Sequence, residues 1–162
     1  MTFLPLMTGL LVAAAQANPS QVATYRDWIV YTAPAGDDTI CYAVSEPTQR
    51  DPESVDHGDV FFAVATWKSG KASDQPSFLA GYDLREGSEP SVRVGANRYT
   101  MFADGDEGFV ESDQNEARLV NAMKAGAEMR VSALSQRGTA TEYTFSLLGI
   151  TNALERAARA CE

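Results

Sequence analysis

The sequence predicts a mainly β fold: a β-sandwich or open barrel of short antiparallel strands, with one inserted helix and a C-terminal helix. Two observations carry this. The middle of the chain is a series of short alternating runs rich in β-branched and aromatic residues, separated by Gly- and Pro-marked turns. Helical spacing appears only after Asp113 and again at the C-terminus.

The elements follow in chain order. Thr24 to Ala33 holds Tyr25, Trp28, Ile29, Val30 and Tyr31 and reads as a strand, and Pro34 to Asp38 reads as a turn. From Thr39 to Ser45 the pattern alternates, with Ile40, Tyr42 and Val44 on one face and Cys41 and Ala43 on the other. A polar loop from Glu46 to Gly58 follows. Asp59 to Lys68 is apolar on both faces, which predicts a central strand covered on both sides. Ser77 to Leu84 is a further strand, with a turn from Glu86 to Pro90. Ser91 to Gly95 and Asn97 to Ala103 are short alternating runs, and Asp104-Gly105-Asp106 is a tight turn before Phe109 and Val110.

Asp113 with Glu116 three residues later is a capping box ahead of Leu119, Val120 and Met123, and Gly126 is the stop. Glu128 to Gln136 and Thr141 to Leu148 form a hairpin joined at Arg137-Gly138. In the final helix Ile150, Leu154, Ala157 and Cys161 share one stripe, which puts Cys161 on the buried face.

Domain organisation is simple. Residues 1–17 read as an export signal: Phe3 to Ala15 is apolar or small, and Ala15-Gln16-Ala17 fits the small-x-small cleavage pattern, with Asn18 as the mature start. No Lys or Arg precedes the apolar run, so one usual element is missing. Residues 18–162 fit a single domain. The run is too short to span a bilayer, and no integral membrane span is expected elsewhere. The net charge of −9 repels phosphate, which excludes nucleic acid as a partner class and argues against anionic lipid.

In an exported protein, the pair Cys41 and Cys161 is most simply a disulfide; the alternative is two free thiols. Tying positions so far apart is worth about 4–5 kcal/mol in the loop-entropy picture.

No residues form a convincing catalytic set, and no cofactor or metal is expected. His57, the only histidine, sits between Asp56 and Asp59 in a loop and reads as solvated; no G-x-S-x-G elbow accompanies it. Asp104-Gly105-Asp106-Glu107-Gly108 opens like a calcium loop, but its twelfth position is Asn115 where a glutamate is needed, so a turn with solvated acids is expected. Glu46, Asp51, Glu53, Asp56 and Asp59 make an acidic loop without the fixed separation that paired-carboxylate chemistry requires. Trp28, Trp67, Tyr25, Tyr82 and Phe102 read as core, though some of them could serve an exposed contact. Arg137 reads as a turn residue paired with a nearby acid, in preference to a partner contact.

One resemblance spans nearly all of the mature chain. It runs through Leu119-Val120-Asn121-Ala122-Met123-Lys124-Ala125-Gly126, Met129-Arg130-Val131 and Ser135-Gln136-Arg137-Gly138-Thr139-Ala140-Thr141. It continues through Phe145-Ser146-Leu147-Leu148-Gly149-Ile150-Thr151-Asn152-Ala153-Leu154 to Ala160-Cys161. Upstream, Trp28-Ile29-Val30, Ile40-Cys41-Tyr42, Gly81-Tyr82 and Val94-Gly95 fall in matching order. In these segments the chain resembles the invasion-associated locus B family of exported alphaproteobacterial proteins. The resemblance implies a periplasmic or surface-associated β-sandwich with a structural disulfide, named for host-cell invasion by some pathogens. It supplies no catalytic residues; Lys124 and Arg137 match positions without an assigned role, and the 51–59 loop shows no family pattern.

The expectation is therefore a non-enzymatic envelope protein that binds an envelope or host protein. Its rivals are an envelope hydrolase or carbohydrate-active module built on the acids of Asp104 to Glu107 with an exposed Trp, and a periplasmic small-molecule carrier.

Overall fold

A computed structural model describes residues 18–162; the expected export signal, 1–17, lies outside the described residues. The chain forms β1 (Ser20–Tyr25), β2 (Trp28–Ala35), β3 (Asp38–Ser45), β4 (Gln49–Asp51), β5 (Phe61–Trp67) and β6 (Gln75–Leu79). Next come β7 (Ser91–Val94), β8 (Asn97–Asp104), β9 (Glu107–Val110), α1 (Asp113–Ala125), β10 (Glu128–Leu134), β11 (Ala140–Ser146) and α2 (Ile150–Ala160). All eleven strands join one antiparallel sheet in the order β1-β2-β3-β5-β6-β9-β8-β7-β10-β11-β4.

The sheet is open, with β1 and β4 as its free edges, and it folds over on itself. The corner is β8. Asn97 to Thr100 pair with β7, whereas Met101 to Asp104 pair with β9, so a single strand serves both halves. The inner faces meet across the core: Phe62 of β5 packs edge-on against Phe145 of β11 at 5.9 Å, and Phe78 of β6 lies 5.5 Å from Tyr143. Trp28, fully buried on β2, donates its indole N–H to the Ser146 carbonyl at 3.0 Å. That bond lets a large aromatic sit in the core with no unsatisfied donor.

α2 closes the remaining side of the core. Its Ile150, Ala153, Leu154 and Ala157 are buried, and it lies across β1, β2, β3 and β5. The stripe expected from the sequence is the stripe observed. It delivers Cys161 to the inner face of β3, where it bonds Cys41 with Cα atoms 5.9 Å apart. α1 packs by Leu119, Val120 and Met123 near β6, β7 and β9.

Several boundaries differ from expectation. The first strand is two: β1 precedes β2, and the chain turns at Arg26-Asp27. The strand expected over Ser77–Leu84 ends at Leu79; beyond it Ala80 and Leu84 donate to the Asp106 and Gly105 carbonyls of the β8–β9 turn, and Gly81 passes close to the 57–59 backbone. The cap of α1 is Ser112, not Asp113; its hydroxyl accepts from the Asn115 N–H at 3.3 Å. The polar loop after β3 hides β4, three residues that pair with β11.

Candidate functional site

Two regions outside the packed core carry chemistry. The first contains His57. Its position between acids suggests solvation, yet it is buried, at 6 % exposure. One ring nitrogen, Nδ1, meets the Tyr143 hydroxyl at 2.8 Å, and Nε2 meets the Pro52 carbonyl at 2.8 Å. Tyr143 Oη in turn donates to the Tyr82 hydroxyl at 2.9 Å, which meets Thr141 Oγ1 at 2.6 Å. Burial, then the neighbouring Tyr82 hydroxyl, push the Tyr143 phenol well above its usual range, so it stays protonated.

Two glycines let this loop approach. Gly58 has φ of +61°, and a Cβ there would sit 2.7 Å from the Gly81 carbonyl oxygen. A Cβ on Gly81 would in turn strike the His57 carbonyl. The motif position Gly81-Tyr82 therefore provides both the close approach and the hydroxyl. The arrangement is a lock: both nitrogens of His57 are engaged within the protein, and no serine or cysteine nucleophile contacts them.

The acids do not converge. Glu46 pairs with Arg50 at 3.8 Å on the surface, and Asp51, Glu53, Asp56 and Asp59 are exposed. Asp104 and Asp106 are exposed at the tip of the β8–β9 hairpin, as a turn with solvated acids predicts. Glu107 is half-buried beside them; burial first, then Asp106 and Asp104, raise its carboxyl above the ordinary range. Glu107 pairs with Leu79, and Leu79 pairs with Phe61, at the opposite end of β5 from Trp67. The six residue steps from Phe61 to Trp67 span about 20 Å, so Glu107 and Trp67 line one open groove but stand near opposite ends of it, too far apart to act on a single bond. Among the described residues no three His, Cys, Asp or Glu gather as a metal site. Gly138 takes φ of +92° as the hairpin turn requires, but Arg137 has no part in the ion pairs among the described residues.

The second region is the outer face of the β2–β9 half. Pleating sends Trp28, Val30, Cys41, Ala43, Phe62 and Val64 inward. Their neighbours point out and lie in register. Ile40 faces Trp67, Tyr31 faces Tyr42 and then Ala65, and Ile29 faces Val44 and then Ala63. The row continues through Ser77 to Phe109 and Phe102. Tyr31 and Tyr42 stack at 5.6 Å, and burial, then Tyr31, raise the Tyr42 phenol. Phe102 remains 46 % exposed against Phe109. The ammonium of Lys71 sits 3.3 Å above the Trp67 ring.

Ile29, Tyr31, Tyr42, Val44, Trp67 and Phe109 are among the side chains that line an open, mostly apolar groove of about 1120 Å³ on this face, with Phe102 and Lys71 outside its lining. β5 is thus apolar on both sides as read from the sequence, but among the described residues only its inner side is covered. Trp28 is core, whereas Trp67 and Phe102 belong to this outer surface.

The family model for Invasion associated locus B (IalB) protein matches residues 28–158. No curated protein and no solved structure matches the chain.

Proposed function

The chain belongs to the Invasion associated locus B family, and from that premise we propose that it is an exported envelope protein that works by binding, through the outer face of its β2–β9 half. The observation that carries this reading is the contiguous apolar face with no covering layer. A sheet face of that composition gains free energy by leaving water, at about 25 cal/mol per Å² of apolar surface buried, and among the described residues nothing buries it. The family assignment and the Cys41–Cys161 bond support an oxidising envelope location. The engagement of both His57 nitrogens supports binding over chemistry. Among the described residues no helix is long and apolar enough to cross a membrane. The family description names invasion as the associated setting.

The test has two arms. Intact mass of protein from its native envelope should give a chain beginning at Asn18, with both thiols blocked until reduction. An uncleaved chain with two free thiols would overturn the location. A photo-crosslinking amino acid placed at Tyr42 or Ala65 should form discrete adducts in cells, whereas one at exposed Arg93 on β7 should not. Equal labelling at all three positions would remove the face as a binding surface.

A second reading, a carrier of an apolar small molecule, draws on the same lining. It predicts a retained mass in native mass spectrometry of protein taken from its own envelope, and a clean apo mass counts against it.

A further inference from the structure

The face restricts what can occupy it. Its strands β3, β5, β6 and β9 are each hydrogen-bonded on both sides, so no backbone donor or acceptor is offered to an incoming strand. An extended peptide laid here would bury its own N–H and C=O groups unpaired. A sugar would find few polar partners along the register rows of Ile29, Val44 and Ala63 and of Tyr31, Tyr42 and Ala65. An acyl chain gains most from enclosure, and this groove is open along its length. A second copy would bring another chain of net charge −9. A helix satisfies its own backbone and offers only side chains, which is what a sheet face accepts.

Charge adds orientation. At the β8–β9 corner Glu107, Asp104 and Asp106 lie at the edge of the face, and none of them joins the ion pairs among the described residues. The diagonal corner carries Lys71 over Trp67. From β2 to β8 the face spans six strands, about 24 Å at ordinary strand spacing, which matches a helix of about 16 residues.

We propose that this outer face docks an amphipathic helix of a protein partner, its apolar stripe laid across β2, β3, β5, β6 and β9 and a lysine or arginine set against Glu107. The proposal rests on the reading of this face as the binding surface and names the chemistry of its occupant.

The experiment is selection of a displayed random peptide library, about 16 residues long, on the mature chain, with counter-selection on Val44→Glu. Circular dichroism confirms that the variant folds, and Glu107→Gln with Asp104→Asn, at the half-buried and exposed rim positions, serves as the second variant. Enriched peptides should carry apolar residues at i, i+3, i+4 and i+7 with flanking Lys or Arg. Their binding should shift the emission of Trp67, since Trp28 is buried and insensitive. The rim variant should weaken them by about tenfold, with helical signal gained on binding. Enrichment of acidic or extended peptides, or binding indifferent to both variants, overturns the proposal. So does a Trp67 shift with phospholipid vesicles alone, or a concentration-dependent dimer that buries Trp67. Crosslinks at Tyr42 without helical enrichment would sink the helix and spare the surface; absence of both would sink the surface itself.

Discussion

Replacing Cys41 and Cys161 together by alanine removes the one covalent tie between the ends of the domain. The bond closes a loop of 120 residues. The loop-entropy relation assigns such a closure about 4.9 kcal/mol at room temperature, a large share of the 5–15 kcal/mol typical of whole domains. For a chain of this size that is a fall in Tm of about 10–20 °C. The native fold should survive, because Ile150, Ala153, Leu154 and Ala157 hold α2 by packing alone. Alanine also avoids placing a hydroxyl at Cys41, which is wholly buried. Urea unfolding followed by circular dichroism checks the figure, with the oxidised parent and the double variant side by side. The denaturant slope should rise in the variant, since its unfolded chain expands further. A loss below about 1 kcal/mol, with α2 still protected from amide exchange, would refute the reasoning: the ends would then be held close in the unfolded chain without the bond.

Three further outcomes are expected. Tyr143→Phe should cost about 1–3 kcal/mol in thermal or urea unfolding, because it leaves His57 Nδ1 and the Tyr82 hydroxyl short of a buried partner while packing against Phe78 persists. Gly149→Ala should destabilise by more than about 2 kcal/mol, or prevent folding, because φ there is +96° and the new methyl would strike the Tyr25 carbonyl; soluble yield and melting temperature check it. Glu107→Gln should stabilise the chain near neutral pH. The folded-state carboxyl is raised, so its ionisation opposes folding as pH climbs through the window above the ordinary glutamate value. Below that value parent and variant should converge, and a gap that persists in acid would show the effect is not titration.

Much of the fold was legible in the sequence. The alternation from Ile40 to Val44, the hairpin at Arg137-Gly138 and the stripe ending in Cys161 are all local patterns, and each appears where periodicity puts it. What was not legible depends on distant partners. β4 contains only Gln49, Arg50 and Asp51 and pairs through its backbone with β11, so no side-chain pattern announces it. His57 looks solvated beside Asp56 until Tyr143, 86 residues away, arrives to bury it. The candidate site shows the same limit. The apolar alternation of β5 tells that both faces shun water, but not that the second face is left without a layer. Trp28 and Trp67 cannot be sorted into core and surface from sequence, because each stands in a strand of similar composition.

The placement of β4 also sets an order of assembly. In the chain it lies between β3 and β5, which pair directly with each other, and it is sent instead to the far edge beside β11. Its partner ends at Ser146, so a chain emerging N-terminus first must hold Gln49 to Asp51 idle until nearly all of the sequence has appeared. Cys41 waits longer still, for Cys161. Both long-range seams therefore close only after β11 and α2 have appeared. A chain cut short anywhere before β11 leaves Gln49 to Asp51 without their ladder and Cys41 without its partner.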